Sequence, residues 1–195
     1  MVVRLSGARR RIPGIGVMLG CAIVVIAGLA VSPGVHAGYG DALSWYGEQA
    51  EAGDAEAQYL LAFALEHGVH DEIDLEAARA WYGTAAAQGH PRAAYRLALM
   101  QLEGRGGAVD MAGAEASLTP AADAGDTAAQ SLLGYLLARD GDGRHAEAYQ
   151  WLSLAADRGD AFAATNLASL MNSMSAEDIA DGEALVAAWR DTHQP

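Results

Sequence analysis

Lysine is missing altogether from this chain, and cysteine occurs once, at Cys21. All 12 cationic side chains are therefore arginines, set against 25 acids for a formal net charge of −13. An excess of that sign repels phosphate backbones and anionic headgroups, which excludes nucleic acid and peripheral membrane surfaces as partners. The single cysteine falls in an apolar N-terminal stretch, so the rest of the chain has neither a disulfide nor a thiol nucleophile, and its stability must come from packing. A Gly-x-Ser-x-Gly elbow and a phosphate loop are also missing. Nothing in the pattern calls for a catalyst or a cofactor, and no enzymatic activity is expected.

The one long hydrophobic run is N-terminal. Arg4, Arg9, Arg10 and Arg11 precede an apolar stretch from Ile12 to Val31, and Val35-His36-Ala37 follows with small residues at the two positions a signal peptidase reads. This pattern predicts a signal peptide over residues 1–37, cleaved after Ala37, and one domain over residues 38–195 in the periplasm or secreted. The alternative is an uncleaved inner-membrane anchor facing the periplasm, since about 20 apolar residues span a bilayer as a helix. Pro33, Gly34 and the Val-His-Ala ending favour cleavage. A lipid-bearing Cys21 should end the apolar run, yet Ala22 to Val31 continue it, and Ile12-Pro13 after the arginines does not suit twin-arginine export. All 25 acids follow Ala37, whereas four of the 12 arginines precede it, so the domain is more acidic than the whole chain.

That domain is repetitive. GDAEAQYLLAFALEHG at 53–68 returns as GHPRAAYRLALMQLEG at 89–104, GDTAAQSLLGYLLARD at 125–140 and GDAFAATNLASLMNSM at 159–174. Gly53, Gly89, Gly125 and Gly159 fall in register, spaced 36, 36 and 34 residues apart, with Ala57, Ala93, Ala129 and Ala163 four residues behind them. A period of that size marks a solenoid, whose units each have too little apolar surface to stand alone and close their cores against neighbours. Upstream of each glycine stands a second phrase, Trp45-Tyr46, Trp81-Tyr82, Ser117-Leu118 and Trp151-Leu152, followed in three units by paired alanines at 85–86, 121–122 and 155–156.

Both halves of each unit predict a helix. The glycine suits the left-handed residue that closes the first, and Asp54, His90, Asp126 and Asp160 suit the N-cap of the second. Pro91 then falls at the first helical position, where proline is favoured. Ala57, Leu60, Leu61, Ala64 and Leu65 recur at three- and four-residue steps and make a buried stripe, echoed by Ala93, Leu97 and Met100 and by Ala129, Leu132, Leu133, Leu136 and Leu137. Asp74 and Asp110 suit the N-caps of the next first helices. Pro120, inside a first helix, is expected to bend that helix or end it early. Ser175-Ala176-Glu177-Asp178 resembles a capping-box start of a last helix, with Ile179, Leu185, Val186 and Trp189 on its apolar face, covering the open end of the stack.

Trp-Tyr before paired alanines, Gly-Asp-Ala-Glu-Ala-Gln-Tyr, a Leu-Ala or Leu-Gly pair and a Gly-x-Gly loop together resemble the Sel-one-like repeat (SLR) family, a tetratricopeptide-type α-α repeat. The resemblance covers nearly all of residues 38–195, most fully in units one and two; unit three has Ser117-Leu118 for the aromatic pair, and unit one lacks the second loop glycine. It implies an all-α fold, a right-handed α-α solenoid of about four helix-pair repeats plus a C-terminal capping helix. It implies also a non-catalytic adaptor or scaffold that holds a protein or peptide on its concave surface. Here that surface is acidic, which suits a basic or amphipathic partner segment. By analogy with related repeat folds the first helices supply it, through Glu48, Gln49, Glu76, Arg79, Gln88 and Glu115. A subset of relatives is disulfide-bridged, with β-lactam or envelope-glycan interactions proposed; the missing cysteines place this chain outside it, and glycan or small-ligand binding stands as the alternative function.

Other candidate clusters read as structural. His67, His70, Asp71, Glu72 and Asp74 have side chains suited to a divalent metal, but a hydrated inter-repeat loop explains them as well. Asp140-Gly141-Asp142-Gly143 starts like a calcium loop, yet Arg144 stands at the fifth position and no acid closes the pattern. No metal site is expected. Trp45, Trp81 and Trp151 suit sugar stacking, but their recurrence beside small residues assigns them to inter-helix packing. Tyr46 and Tyr82 keep a phenol that can reach solvent.

Overall fold

The computed structural model describes residues 36–69, 72–140 and 143–193. The reading of residues 1–35 as signal or anchor, and the loop residues His70, Asp71, Gly141 and Asp142, lie outside them. Leu43–Pro195 is one compact unit, and it holds the repeats. The described residues form nine helices and no strand: α1 (His36–Glu51), α2 (Ala55–His67), α3 (Leu75–Ala87), α4 (Pro91–Glu103), α5 (Met111–Asp123), α6 (Thr127–Asp140), α7 (His145–Asp157), α8 (Ala161–Met171) and α9 (Ala176–His193). Four helix pairs and a last helix make the solenoid the period demands. None of the described helices is long and apolar enough to cross a membrane.

The four repeat glycines are equivalent corners. Gly53, Gly89, Gly125 and Gly159 have φ of 97, 84, 87 and 89°, the left-handed region where only glycine avoids a Cβ clash. At each corner the glycine N–H donates to the carbonyl three residues back and the next N–H to the carbonyl five back, as in Gly53 to Ala50 (3.1 Å) and Asp54 to Gln49 (3.0 Å). The residue that completes this closure then opens the next helix. The carboxylates of Asp54, Asp126 and Asp160 accept from the N–H of Ala57, Ala129 and Ala163 at 2.7–2.8 Å. In unit two Nδ1 of His90 accepts from Ala93 at 3.1 Å. That bond fixes the His90 tautomer, so its Nε2–H donates to Glu56 at 2.8 Å. Asp74 and Asp110 cap α3 and α5 in the same manner, whereas Arg144 holds that place in unit four and makes no cap bond.

Packing follows the repeat. The second helix of each unit lies against the first helix of the next, α2 on α3, α4 on α5 and α6 on α7. Ala57, Ala93, Ala129 and Ala163 are all buried, as are Leu97, Met100 and the four leucines of α6. In α2 the stripe differs: Leu60, Leu61 and Leu65 are half-buried, and Ala57, Gln58, Tyr59, Ala62, Ala64 and Glu66 are the buried set.

Three expectations need correction. The aromatic phrase places its second residue in the core: Tyr82, Leu118 and Leu152 are fully buried, while Trp81 is half-buried and Trp45 is 44% exposed. In α3 the inward stripe runs Ala78, Tyr82, Ala85, so Trp81 points about 100° away from Tyr82 around the helix. Only Trp151 is buried as expected, and the Tyr82 phenol does not reach solvent. Second, Pro120 does not end α5, which runs the same 13 residues as α3. Pro120 sits on the exposed side and Ala116, whose carbonyl loses its partner, is exposed as well, so water can solvate that oxygen. Third, Leu185 of α9 is exposed, leaving Gly182, Val186 and Trp189 as its buried set.

The start of α9 is a reciprocal cap, in which Asp178 accepts from the Ser175 N–H (3.1 Å) and Ser175 Oγ accepts from the Asp178 N–H (3.1 Å). This helix caps the array by lying along α7, with Gly182 close against the Tyr149 ring and an Arg190–Asp157 ion pair at its far end.

Candidate functional site

The first helices, with Gln88 at the C-cap of α3, hold the six positions proposed for partner binding, and the structure separates them into two kinds. Glu48 and Glu76 are exposed, and Gln49 is half-exposed. Arg79, Gln88 and Glu115 are engaged within the fold. Nη1 of Arg79 donates to the Ala108 carbonyl (2.9 Å) and braces the loop between α4 and α5. Nε2 of Gln88 donates to Gln58 (2.7 Å), and Glu115 accepts from Arg144 (2.7 Å), which also grips Glu147. Of the six, the free acids are therefore Glu48 on α1 and Glu76 on α3.

Sequence reasoning missed the polar clamps between units. Gln58, buried, donates from Nε2 to the Ala50 carbonyl (3.0 Å) while its Oε1 receives Gln88 of the next unit. Gln130 repeats this, donating to Ala122 (3.0 Å) and accepting from Arg158 (2.9 Å). Each clamp ties the corner of one unit to the corner of the next. Gln58 and Gln130 both stand five residues after a repeat glycine, and that shared offset was the available signal.

Glu66 is the other missed residue. Its side chain is 2% exposed at the end of α2, where Oε2 accepts from the Tyr82 hydroxyl (2.7 Å) and Oε1 from Arg105 (2.7 Å), with Arg96 at 3.9 Å. Burial raises a carboxyl's pKa, but the bonds from Tyr82 and Arg105 and the charges of Arg96 and His67 outweigh it and hold Glu66 below its ordinary value. Burial and the same bond push the Tyr82 phenol far above its usual range, so it stays a donor. The node joins α2, α3, α4 and the loop behind α4, and both carboxylate oxygens of Glu66 are hydrogen-bonded. It braces the fold.

Two open clefts are present. One, of about 540 Å³, lies between the C-terminal ends of α7 and α9 and is lined by Leu154, Asp157, Arg158, Trp189 and Arg190. The other, of about 230 Å³, lies between α5 and α6 beside Met111, Glu115 and Asp140. Neither brings two buried acids face to face. Of the loop cluster, His67 stacks on Phe63 and Asp74 caps α3. Among the described residues no three His, Cys, Asp or Glu side chains converge on a common point.

Stacked helix pairs with fused corners and an extended polar face define an α-α repeat solenoid. Among solved structures, the chain is similar to a protective antigen of uropathogenic Escherichia coli strains that displays an SLR fold, at 28% identity and a TM-score of 0.67 over 79% of this chain and 33% of that one. It thus spans about a third of the antigen's length. It is similar also to a Sel1 repeat protein from Oxalobacter formigenes, at 30% identity and a TM-score of 0.57 over 65% of this chain and 97% of that one. No family model matches the chain, and no curated protein does. The chain belongs to the Sel1-like repeat family.

Proposed function

We propose that this protein is an exported, non-catalytic adaptor that holds a basic or amphipathic segment of a protein partner on the first helices of its repeats. The observation that carries the reading is the surface of α1 and α3, where Glu48 and Glu76 stand exposed and, among the described residues, without an ion-pair partner, on a chain of net charge −13. A long acidic face steers and orients a cationic segment without needing a deep pocket. Glycan binding, the alternative, needs a row of aromatic platforms, and of the four tryptophans only Trp45 is exposed, while Trp81, Trp151 and Trp189 are half-buried or buried.

The test is Glu48→Arg with Glu76→Arg, followed by crosslinking in the native cell envelope and mass spectrometry. Loss of a partner captured by the wild-type chain, with unchanged circular dichroism, is the expected result. Capture that survives the double reversal rejects the acidic surface. Recovery of the N-terminal peptide in the same experiment reports whether residues 1–37 have been removed.

A further inference from the structure

The repeat leaves an unused half-joint at each end of the described array. At each internal joint a small residue nine positions after the corner glycine, Ala62, Ala98 or Gly134, stands in register with the second residue of the next aromatic phrase, Tyr82, Leu118 or Leu152; Ala62 and Tyr82 share one core cluster, Ala98 and Leu118 the other, and Gly134 lies directly against Leu152. Ala62 and Ala98 are 0% exposed, and at Gly134 the Leu152 backbone nitrogen comes within 2.9 Å of where a Cβ would stand. Unit four carries the same notch at Ala168, but here it is exposed, because α9 lies along α7 and leaves the corresponding face of α8 bare. At the other end α1 carries Trp45-Tyr46, the counterpart of Trp81-Tyr82; Tyr46 is only partly buried where Tyr82 is fully so.

We propose that copies of this chain stack end to end, with α1 of one copy seated on α8 of the next. The occupant follows from the register: the side chain that fills this notch in the first joint is a tyrosine behind a tryptophan, and the unmatched tyrosine behind a tryptophan is on α1. Charge agrees, because α8 has no charged residue at all and exposes Phe162 (51%) and Met171 (40%), in a chain where 19% of residues are charged. An uncharged α8 sets no like charge against Glu48 and Glu51 of an incoming α1, which lowers the electrostatic cost of bringing two acidic copies together. The contact is heterologous, different surfaces on the two copies, so it propagates and does not stop at a dimer.

The test uses the full-length chain with Cys21→Ser, adding Tyr46→Cys and Ala168→Cys. At the third internal joint the corresponding positions, Gly134 and Leu152, are close enough for a disulfide, since a Cβ on Gly134 would stand 2.8 Å from the Leu152 Cγ. Under mild oxidation the double variant is expected to give a ladder of linked species on a non-reducing gel, and each single variant only monomer. A double variant that stays monomeric overturns the proposal. A dimer from Ala168→Cys alone overturns it too, since that reports a symmetric α8–α8 contact. Ala168→Arg on the native chain supplies an independent reading, as the site is exposed and the fold tolerates it: concentration-dependent sedimentation of the wild type is expected to be lost. Oligomers that persist in Ala168→Arg place the contact elsewhere and reject it.

Discussion

Glu66 shows how one buried charge can tie three helices together. Its folded pKa is below the unfolded one, so its contribution to stability is present above the unfolded value, near 4.5, and is lost as pH falls through the folded value. Urea midpoints are therefore expected to fall on acidification below about pH 4.5, and Glu66→Gln is expected to flatten that part of the profile. Tyr82→Phe leaves the carboxylate short of one donor and is expected to destabilise by about 1–3 kcal/mol in urea unfolding. Two glycines give a contrast of mechanism. Gly89→Ala meets no atom within 4 Å, so its cost is the left-handed backbone alone, about 1–2 kcal/mol. Gly134→Ala keeps an ordinary helical backbone but drives a Cβ into Leu152, and is expected to cost about 1–3 kcal/mol through forced separation of α6 and α7. Since an unobstructed glycine-to-alanine change inside a helix stabilises, a Gly134→Ala variant as stable as the wild type or more so would refute the steric account.

Among the elements, α5 tests the cost of an interior proline. Pro120 removes one backbone bond without shortening the helix, so Pro120→Ala is expected to raise stability by about 1–3 kcal/mol, less than the full helix-interior penalty because the orphaned carbonyl is solvated. Helix boundaries were legible in the sequence because caps act locally: Gly53, Gly89, Gly125, Gly159, Asp74, Asp110 and Ser175 all do what their residue type and position imply. The aromatic phrase was harder to read. Trp81 and Tyr82 are adjacent and equally apolar, and which one faces inward depends on the phase of the helix against α2, set by contacts more than a dozen residues distant. Glu66 was illegible for a related reason, since its partners Tyr82 and Arg105 lie 16 and 39 residues away. For the proposed binding surface, sequence named polar positions on the first helices but did not distinguish exposed Glu48 and Glu76 from Glu115, whose partner Arg144 lies one repeat further on.

At the scale of the whole molecule, energetics should follow the one-dimensional layout. Two hydrophobic clusters run through the array and both include contacts with Ala86, the first built on α2 to α4 and the second on α4 to α9. Amide exchange is expected to be slowest in α6 and α7, buried on most sides, and fastest in α1 and α8, with partial unfolding from the ends in place of one concerted transition. The net charge of −13 should make the fold sensitive to ionic strength. Thermal midpoints are expected to rise as salt is added up to roughly physiological levels, as carboxylate repulsion is screened; a flat or falling midpoint would show that the Glu66 and Arg144 ion pairs outweigh that repulsion.

The fused corner also governs where the chain tolerates changes in length. One residue both ends a helix and begins the next, so a single insertion there would uncouple the two events and rotate everything downstream. The connectors 68–74, 104–110 and 141–144 carry no such double duty; the third is three residues shorter and α6 one residue longer, which together account for the two residues by which the third glycine spacing falls short, with every corner left intact. Drift in this lineage should therefore accumulate as insertions and deletions on one edge of the array while the opposite edge keeps a fixed metre.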